Sequence, residues 1–190
     1  MNTNTESQHP VGQGRPQFLK LISNSASTTL GMVLAAAGFL VPSANAAMTL
    51  STADQSFILA AAQGGMTEVK LGELAAQKGM RADVKEFGQM MVKDHTAINN
   101  DLKTLAAQKG VTLPDSLDAK HQAMVDKMTA LTGAEFDDAY IKGMIKDHKM
   151  DAKEFKAESA ATKDADIKSF LDKSIPVVDA HLQHITAMKK

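Results

Sequence analysis

The chain has 190 residues, 44% of them hydrophobic, no cysteine and a formal net charge of -1. A near-neutral charge leaves no basic excess for binding phosphates, so we expect no nucleic-acid partner. The lack of cysteine excludes a disulfide scaffold, a thiolate zinc site, a thiol nucleophile and a lipid-modified N-terminal cysteine.

Residues 1–46 have the pattern of a secretory signal peptide. Arg15 and Lys20 precede an uncharged apolar run of twelve residues, 30–41, and an Ala-Asn-Ala cleavage sequence ends at Ala46. A helix of twelve residues is about 18 Å long, too short for a hydrocarbon core of about 30 Å, so we expect no transmembrane anchor after cleavage. These features predict a periplasmic protein, with peripheral attachment to the outer membrane as the alternative.

The mature segment, residues 47–190, is predicted to form one all-α domain, because its apolar residues recur at intervals of three and four. Five helices are expected, over residues 52–78, 81–109, 116–131, 132–160 and 164–188. The third is a short connector, and the other four are long enough for a bundle. Thr132 and Glu135 have the spacing of a capping box, and Pro176 is expected to kink the last helix.

A five-residue motif occurs twice and determines the expected topology. The segment 91–95 reads MVKDH and the segment 144–148 reads MIKDH, each about halfway along its helix. The two histidines are level only if the second and fourth helices run parallel. The short third helix, about 24 Å long, can carry the chain back to the starting end, which is the crossover connection of a ferritin-like four-helix bundle.

Three histidines and one glutamate are predicted to face the bundle centre from four different helices. His95 and His181 occupy positions at which the apolar stripes of their helices would otherwise have leucine, and His148 has the equivalent position in the repeated motif. Glu68 lies on the small-residue stripe of the first helix. One carboxylate and three imidazoles form a donor set for a transition metal such as zinc, copper or iron.

Four further residues are candidate neighbours of this site. Met91 and Met144 would place soft sulfur atoms one turn away, whereas Asp94 and Asp147 would either orient the histidines or lie in solvent. A competing interpretation is a buried hydrogen-bond network without a metal. A ferritin-type oxidoreductase is disfavoured, because no Glu of the mature segment is followed three residues later by His.

Four segments of the chain resemble the bacterial family called domain of unknown function 4142 (DUF4142). They are residues 65–75, 84–96, 140–148 and 176–182. The similarity extends from about Thr52 to Met188, and it implies an exported, ferritin-like helical bundle. Family members are often labelled predicted outer-membrane proteins. The Glu, Asp-His, Asp-His and His positions that recur in the family match Glu68, Asp94-His95, Asp147-His148 and His181.

The favoured interpretation is an exported, non-catalytic helical-bundle protein, a monomer or homodimer, that binds one metal ion. Its predicted ligands are Glu68, His95, His148 and His181. The alternative is a structural or stress-related envelope protein whose histidines serve only as a polar core.

Overall fold

The computed structural model describes residues 50–188, whose regular structure is entirely helical. The helices are α1 (Thr52–Lys78), α2 (Ala82–Gln108), α3 (Ala119–Ala130), α4 (Gly133–Ala161) and α5 (Ala165–Ala187). The predicted all-α fold of four long helices and one short connecting helix is confirmed. The predicted signal peptide and its cleavage point lie outside the described residues.

Two of the long helices, α1 and α5, begin with a side-chain cap at the helix start that the sequence predicts. Ser51 Oγ accepts the backbone N–H of Asp54 at 3.0 Å. Asp164 Oδ1 accepts the N–H groups of Asp166 and Ile167 at 3.0 and 3.1 Å. Each cap pairs backbone donors that have no partner inside the helix, which stabilises the first turn by about 1 kcal/mol.

Two glycines with positive φ lie at the end of α2 and at the start of α4. Gly110, with φ +69°, ends α2, and the N–H of Val111 donates to Ala106 O at 2.8 Å, as in a Schellman motif. The predicted capping box at the start of α4 is wrong, because the Thr132 side chain makes no capping hydrogen bond. The left-handed φ of +58° at Gly133 makes that first turn irregular.

The chain reverses direction through α3, which lies beside α1. Gln63, near the middle of α1, donates to Ser116 O just before α3, and Lys78, at the end of α1, donates to Thr129 O near the end of α3. The two helices therefore run in the same direction, and α3 returns the chain to the end at which α2 begins.

As a result, α2 and α4 are parallel, as the repeated motif predicts. Asp137, in the first turns of α4, accepts the N–H groups of Met80 and Arg81 just before α2, so both helices begin at one end. At the other end Lys109, after α2, pairs with Asp164 before α5 at 2.6 Å, so α5 is antiparallel to α2. The helices surround the core in the order α1, α2, α5, α4.

The interior consists of two apolar layers with a polar layer between them. One apolar layer includes Phe87, Met91, Phe136, Tyr140, Met144 and Ile185. The other includes Ile58, Leu102, Leu105, Ile167, Phe170 and Leu171. The buried side chains of the polar layer include one ionisable residue from each long helix, namely Glu68, His95, His148 and His181. A polar layer inside a core reduces stability unless its groups are paired.

Two glycines bring α1 and α2 into close contact. A Cβ atom at Gly88 would lie 2.7 Å from Gly72 O, which is shorter than a van der Waals contact.

Pro176 lies inside α5, which remains helical on both sides of it.

Within residues 50–188 we find no helix that is long and apolar enough to cross a bilayer.

Candidate metal centre

Each of the four long helices places one predicted ligand in the polar layer. The exposed fractions are 4% for Glu68 on α1, 2% for His95 on α2, 0% for His148 on α4 and 2% for His181 on α5. The structure thus brings together all four residues singled out from the sequence. The crossover through α3 is responsible, because it places the two repeated motifs at the same depth.

The three imidazole rings form a compact triangle. Ring centroids are 5.2 Å apart for His95 and His181, 5.5 Å for His148 and His181, and 5.6 Å for His95 and His148. One nitrogen from each ring lies within 4.8 Å of the others. Nitrogens around a metal ion are bound at about 2.0–2.1 Å from it, so small side-chain movements would allow all three to bind one ion.

The other nitrogen of each ring contacts an oxygen. His95 Nδ1 lies 2.8 Å from Glu68 Oε2, and His181 Nε2 lies 3.0 Å from Asp94 Oδ2. His148 Nδ1 lies 3.1 Å from the backbone carbonyl of Met144. Oxygen partners on the far nitrogen fix the tautomer and orientation of metal-binding histidines.

When Glu68 is ionised, these contacts leave three lone pairs facing one another. Carboxylates and carbonyls accept, so the outer nitrogens donate, and the inner nitrogens His95 Nε2, His148 Nε2 and His181 Nδ1 have no hydrogen. The contact of 3.3 Å between His95 Nε2 and His181 Nδ1 then joins two acceptors. A cation between the rings would satisfy this arrangement.

When Glu68 is protonated, a chain of hydrogen bonds can form instead. Glu68 can donate to His95 Nδ1, which leaves His95 Nε2 to donate to His181 Nδ1, and His181 Nε2 to donate to Asp94. This second state corresponds to the predicted polar network. It satisfies every nitrogen of His95 and His181 without a metal.

His148 Nε2 has no hydrogen-bond donor in either state. Because Met144 O can only accept, His148 Nδ1 must be the protonated nitrogen, and Nε2 is an acceptor. Nε2 is buried without a hydrogen-bond partner, and Glu68 Oε1, also unpartnered, is 3.7 Å away. A buried acceptor with no donor costs about 1–3 kcal/mol, so this pair of atoms is the least satisfied part of the layer.

Burial keeps the imidazoles neutral. It lowers the pKa of His95 to about 4 and that of His148 to about 3. The pKa of His181 is also lowered by burial, although its hydrogen bond with Asp94 opposes the shift. Neutral imidazole is the form that binds metals, so no imidazolium has to lose a proton at pH 7. Only in the state with protonated Glu68 does His95 Nε2 carry a hydrogen that a metal would displace.

A group of carboxylates adjoins the histidines on the α1 and α4 side. Ligand atoms of Glu68, Asp147, His148 and Asp151 lie within 4.8 Å of one another. Burial and the nearby Asp147 raise the pKa of Glu68 well above its usual range. Burial, with Glu68 and Asp147 beside it, raises the pKa of Asp151 to about 9.

Sequence reasoning did not identify Asp151 as a site residue. A signal was present, because Asp151 aligns with Ile98 in the repeat, so one copy has a carboxylate where the other has an apolar side chain. Asp151 also follows His148 by three residues, which places both on one helix face. Position in the repeat could therefore have identified it.

Of the four predicted neighbours of the site, the two aspartates lie beside polar groups and the two methionines pack in the apolar core. Asp94 orients His181 rather than the adjacent His95, and Asp147 lies with the carboxylates. Met91 and Met144 are fully buried in the apolar layer that contains Phe87. That phenyl ring has edge contacts with His148 and His181, at centroid distances of 6.5 and 6.0 Å.

Solved structures with a similar fold include two kinds of helical protein. A DUF305 fragment from Deinococcus radiodurans has a TM-score of 0.64 at 9% identity, over 73% of this chain and 96% of that chain. CopM has a TM-score of 0.60 in its Cu(I)-bound form and 0.58 in its Cu(II)-bound form, at 20% identity over 71% of this chain and 94% of that chain. Identities this low establish a shared fold alone.

Comparison with sequences gives the family. No curated protein matches the chain significantly. The model of DUF4142, described as a domain of unknown function, matches residues 40–188, which confirms the resemblance seen in the sequence: the chain belongs to the DUF4142 family.

Proposed function

We propose that this protein is an exported binding protein for one transition-metal ion, held by the inner nitrogens of His95, His148 and His181. The observation that carries the proposal is His148 Nε2, a buried acceptor with no donor in either protonation state of Glu68. A metal ion would accept the lone pair that no hydrogen bond uses. Glu68 fixes the orientation of His95 through Oε2.

Copper is the first metal to test, followed by zinc and iron. Imidazole nitrogen binds all three, and among divalent first-row metals Cu²⁺ binds most tightly to a given set of ligands. Two similar solved structures are described as Cu(I)-bound and Cu(II)-bound CopM, which supports the same order. With no cysteine in the chain, the candidate ligands are imidazole, carboxylate and thioether.

The exported location is part of this proposal. Residues 1–46 have a basic segment, an apolar run of twelve residues and an Ala-Asn-Ala sequence, in the order of a signal peptide. We expect the periplasm, with the periphery of the outer membrane as the alternative. Mass spectrometry of protein from a periplasmic extract should give the mass of residues 47–190, and the mass of the full chain would contradict export.

Calorimetric titration tests the metal site. Protein expressed from the full chain and stripped with a chelator is titrated with Cu²⁺, Zn²⁺ and Fe²⁺. We expect one equivalent of at least one metal to bind to wild type, and His95→Gln with His148→Gln to lose that binding. His184→Gln is the matched control, because His184 is exposed on α5. At a free metal concentration 100 times Kd, binding should stabilise the fold by about 2.7 kcal/mol.

Two results would contradict the metal site. The first is the absence of both calorimetric binding and a metal-dependent rise in melting temperature for wild type. The second is equal binding by wild type and the double variant. The His184→Gln control separates the buried ligands from a surface histidine that binds metal weakly.

A metal-free polar core is the second candidate, and it is supported by the contact chain from Glu68 through His95 and His181 to Asp94. Its three contacts are 2.8, 3.3 and 3.0 Å. Nitrogen-15 NMR distinguishes the two functions through the tautomer of His95. The polar core requires the proton on Nε2 and no change when metal is added, whereas the metal site requires the proton on Nδ1 and a shifted Nε2 signal on binding.

A further inference from the structure

Three carboxylates face one another beside the histidine triangle without a lysine or arginine partner. Ligand oxygens of Glu68, Asp147 and Asp151 lie within 4.8 Å of one another. The lysine and arginine ion pairs among residues 50–188 involve other carboxylates. Like charges this close repel strongly in a poorly solvated region, so either bound protons or a cation must relieve the repulsion. The raised pKa values of Glu68 and Asp151, which result from burial and from the neighbouring carboxylates, show the same repulsion in the metal-free protein.

Glu68 contributes an oxygen that the histidine site does not use. Oε2 is occupied by His95 Nδ1 at 2.8 Å, whereas Oε1 is buried without a partner. The Glu68 residue is only 4% exposed, so water from bulk solvent does not readily satisfy Oε1. The two carboxylate oxygens therefore have different roles, one toward His95 and the other toward the Asp147 and Asp151 group.

A small cavity lies next to these oxygens. It has a volume of about 10 Å³, which is room for about one water molecule. Glu68, His95, Asn99 and Asp151 contribute its polar lining, and Asn99 Oδ1 is a further buried acceptor without a partner. A water molecule bound to a cation at the carboxylates would supply the donor that Asn99 lacks.

We propose that Glu68 Oε1, Asp147 and Asp151 form a second cation site, distinct from the histidine site, for a hard divalent ion of the Mn²⁺ class. Carboxylate oxygen and water are the ligands that Mn²⁺, Mg²⁺ and Ca²⁺ prefer, whereas imidazole favours copper and zinc. Glu68 lies between the two sites, since Oε1 is 3.7 Å from His148 Nε2. The protein would then hold two cations of different chemistry side by side.

Electron paramagnetic resonance of Mn²⁺ tests this site, because the signal of the free aqueous ion falls as the ion binds. Chelator-stripped wild type should bind one Mn²⁺ per chain at pH 7.5. Asp147→Asn with Asp151→Asn should weaken Mn²⁺ binding at least tenfold and keep copper or zinc binding. His181→Gln should do the reverse. Asp138→Asn, an exposed position on α4, is the matched control and should bind as wild type does.

Two outcomes would overturn the second site. One is an undiminished Mn²⁺ signal with wild type up to 1 mM ion, and the other is equal Mn²⁺ binding by wild type and the double Asn variant. The single variant Asp151→Asn is measured as well, with the same expected loss, in case the double variant does not fold. Failure of copper and zinc binding with intact Mn²⁺ binding would reject only the histidine site.

Discussion

His148 is fully buried in the polar layer, and neighbouring groups surround its imidazole ring. Its Nδ1 is held by Met144 O, its Nε2 faces Glu68 Oε1, and its ring packs against the edge of Phe87. A residue of this kind contributes little to the stability of the metal-free protein, because burying one unpaired acceptor offsets the gain from one hydrogen bond. We therefore interpret its position as a requirement of binding and not of folding.

This interpretation predicts different costs for two histidine substitutions. In metal-free protein, His148→Leu should change the free energy of unfolding by less than about 1 kcal/mol, since an unpaired acceptor is removed. His95→Leu should destabilise by about 1–3 kcal/mol, because Glu68 Oε2 then loses its partner inside the core. Urea unfolding in the presence of a chelator measures both. Equal losses would indicate that His148 Nε2 is paired in solution.

At the scale of the helix, the backbones of α1 and α2 approach each other closely at Gly72 and Gly88. A Cβ atom on residue 88 would meet backbone atoms of Gly72 and Ala76, both at 2.7 Å, and backbone cannot rotate away as a side chain can. Gly88→Ala should therefore separate the helices and destabilise by about 1–3 kcal/mol. Thermal unfolding of the metal-free protein tests this.

Gly143→Ala on α4 is the matched control for that substitution. A Cβ atom there meets nothing within 4 Å, so the change should stabilise by about 0.5–1 kcal/mol through the higher helix propensity of alanine. If both variants shift the melting temperature in the same direction, contact between the backbones of α1 and α2 does not limit the packing of this hairpin.

Helix ends could be predicted from the sequence wherever the cap is a local property. Ser51 and Asp164 act on N–H groups two or three residues away, and the expected starts of α1 and α5 were correct within one residue. The start of α3, expected at residue 116, is at Ala119. The capping box at Thr132 failed for an equally local reason, since Gly133 takes a left-handed conformation that the spacing of Thr132 and Glu135 does not reveal. A spacing pattern describes side chains and assumes a regular backbone.

At the scale of the whole molecule, the parallel arrangement of α2 and α4 could be predicted because the repeated motif requires it, but the partners of the repeated aspartates could not. Asp94 on α2 contacts His181 because α5 is the neighbour of α2. Asp147 on α4 lies with Glu68 because α1 is the neighbour of α4. Two motifs that differ only by Val for Ile therefore have different surroundings, which depend on the order of helices around the core.

The buried histidines and the buried carboxylates have opposite effects on how stability depends on pH. His95 and His148 have pKa values of about 4 and 3, below the value of about 6.5 for an unfolded chain, so the unfolded state takes up their protons first and stability falls as pH drops from 7 to 5. Asp151 acts in the opposite direction. Its pKa of about 9 means that the folded state holds a proton that the unfolded state has lost, so stability rises as pH drops.

The two effects oppose each other in wild type, where the raised pKa values of Glu68 and Asp147 act in the same direction as that of Asp151. Asp151→Asn should remove the contribution of Asp151. Without the Asp151 carboxyl, unfolding free energy in a chelator should fall more steeply from pH 7 to 5 than in wild type, by up to about 1.4 kcal/mol per pH unit, the value for one proton. Urea unfolding at pH 5, 6 and 7 measures the slope, with the exposed Asp138→Asn as control. Parallel slopes for wild type and Asp151→Asn would mean that Asp151 is already ionised in the folded protein, and that positive charge from another source balances the three carboxylates.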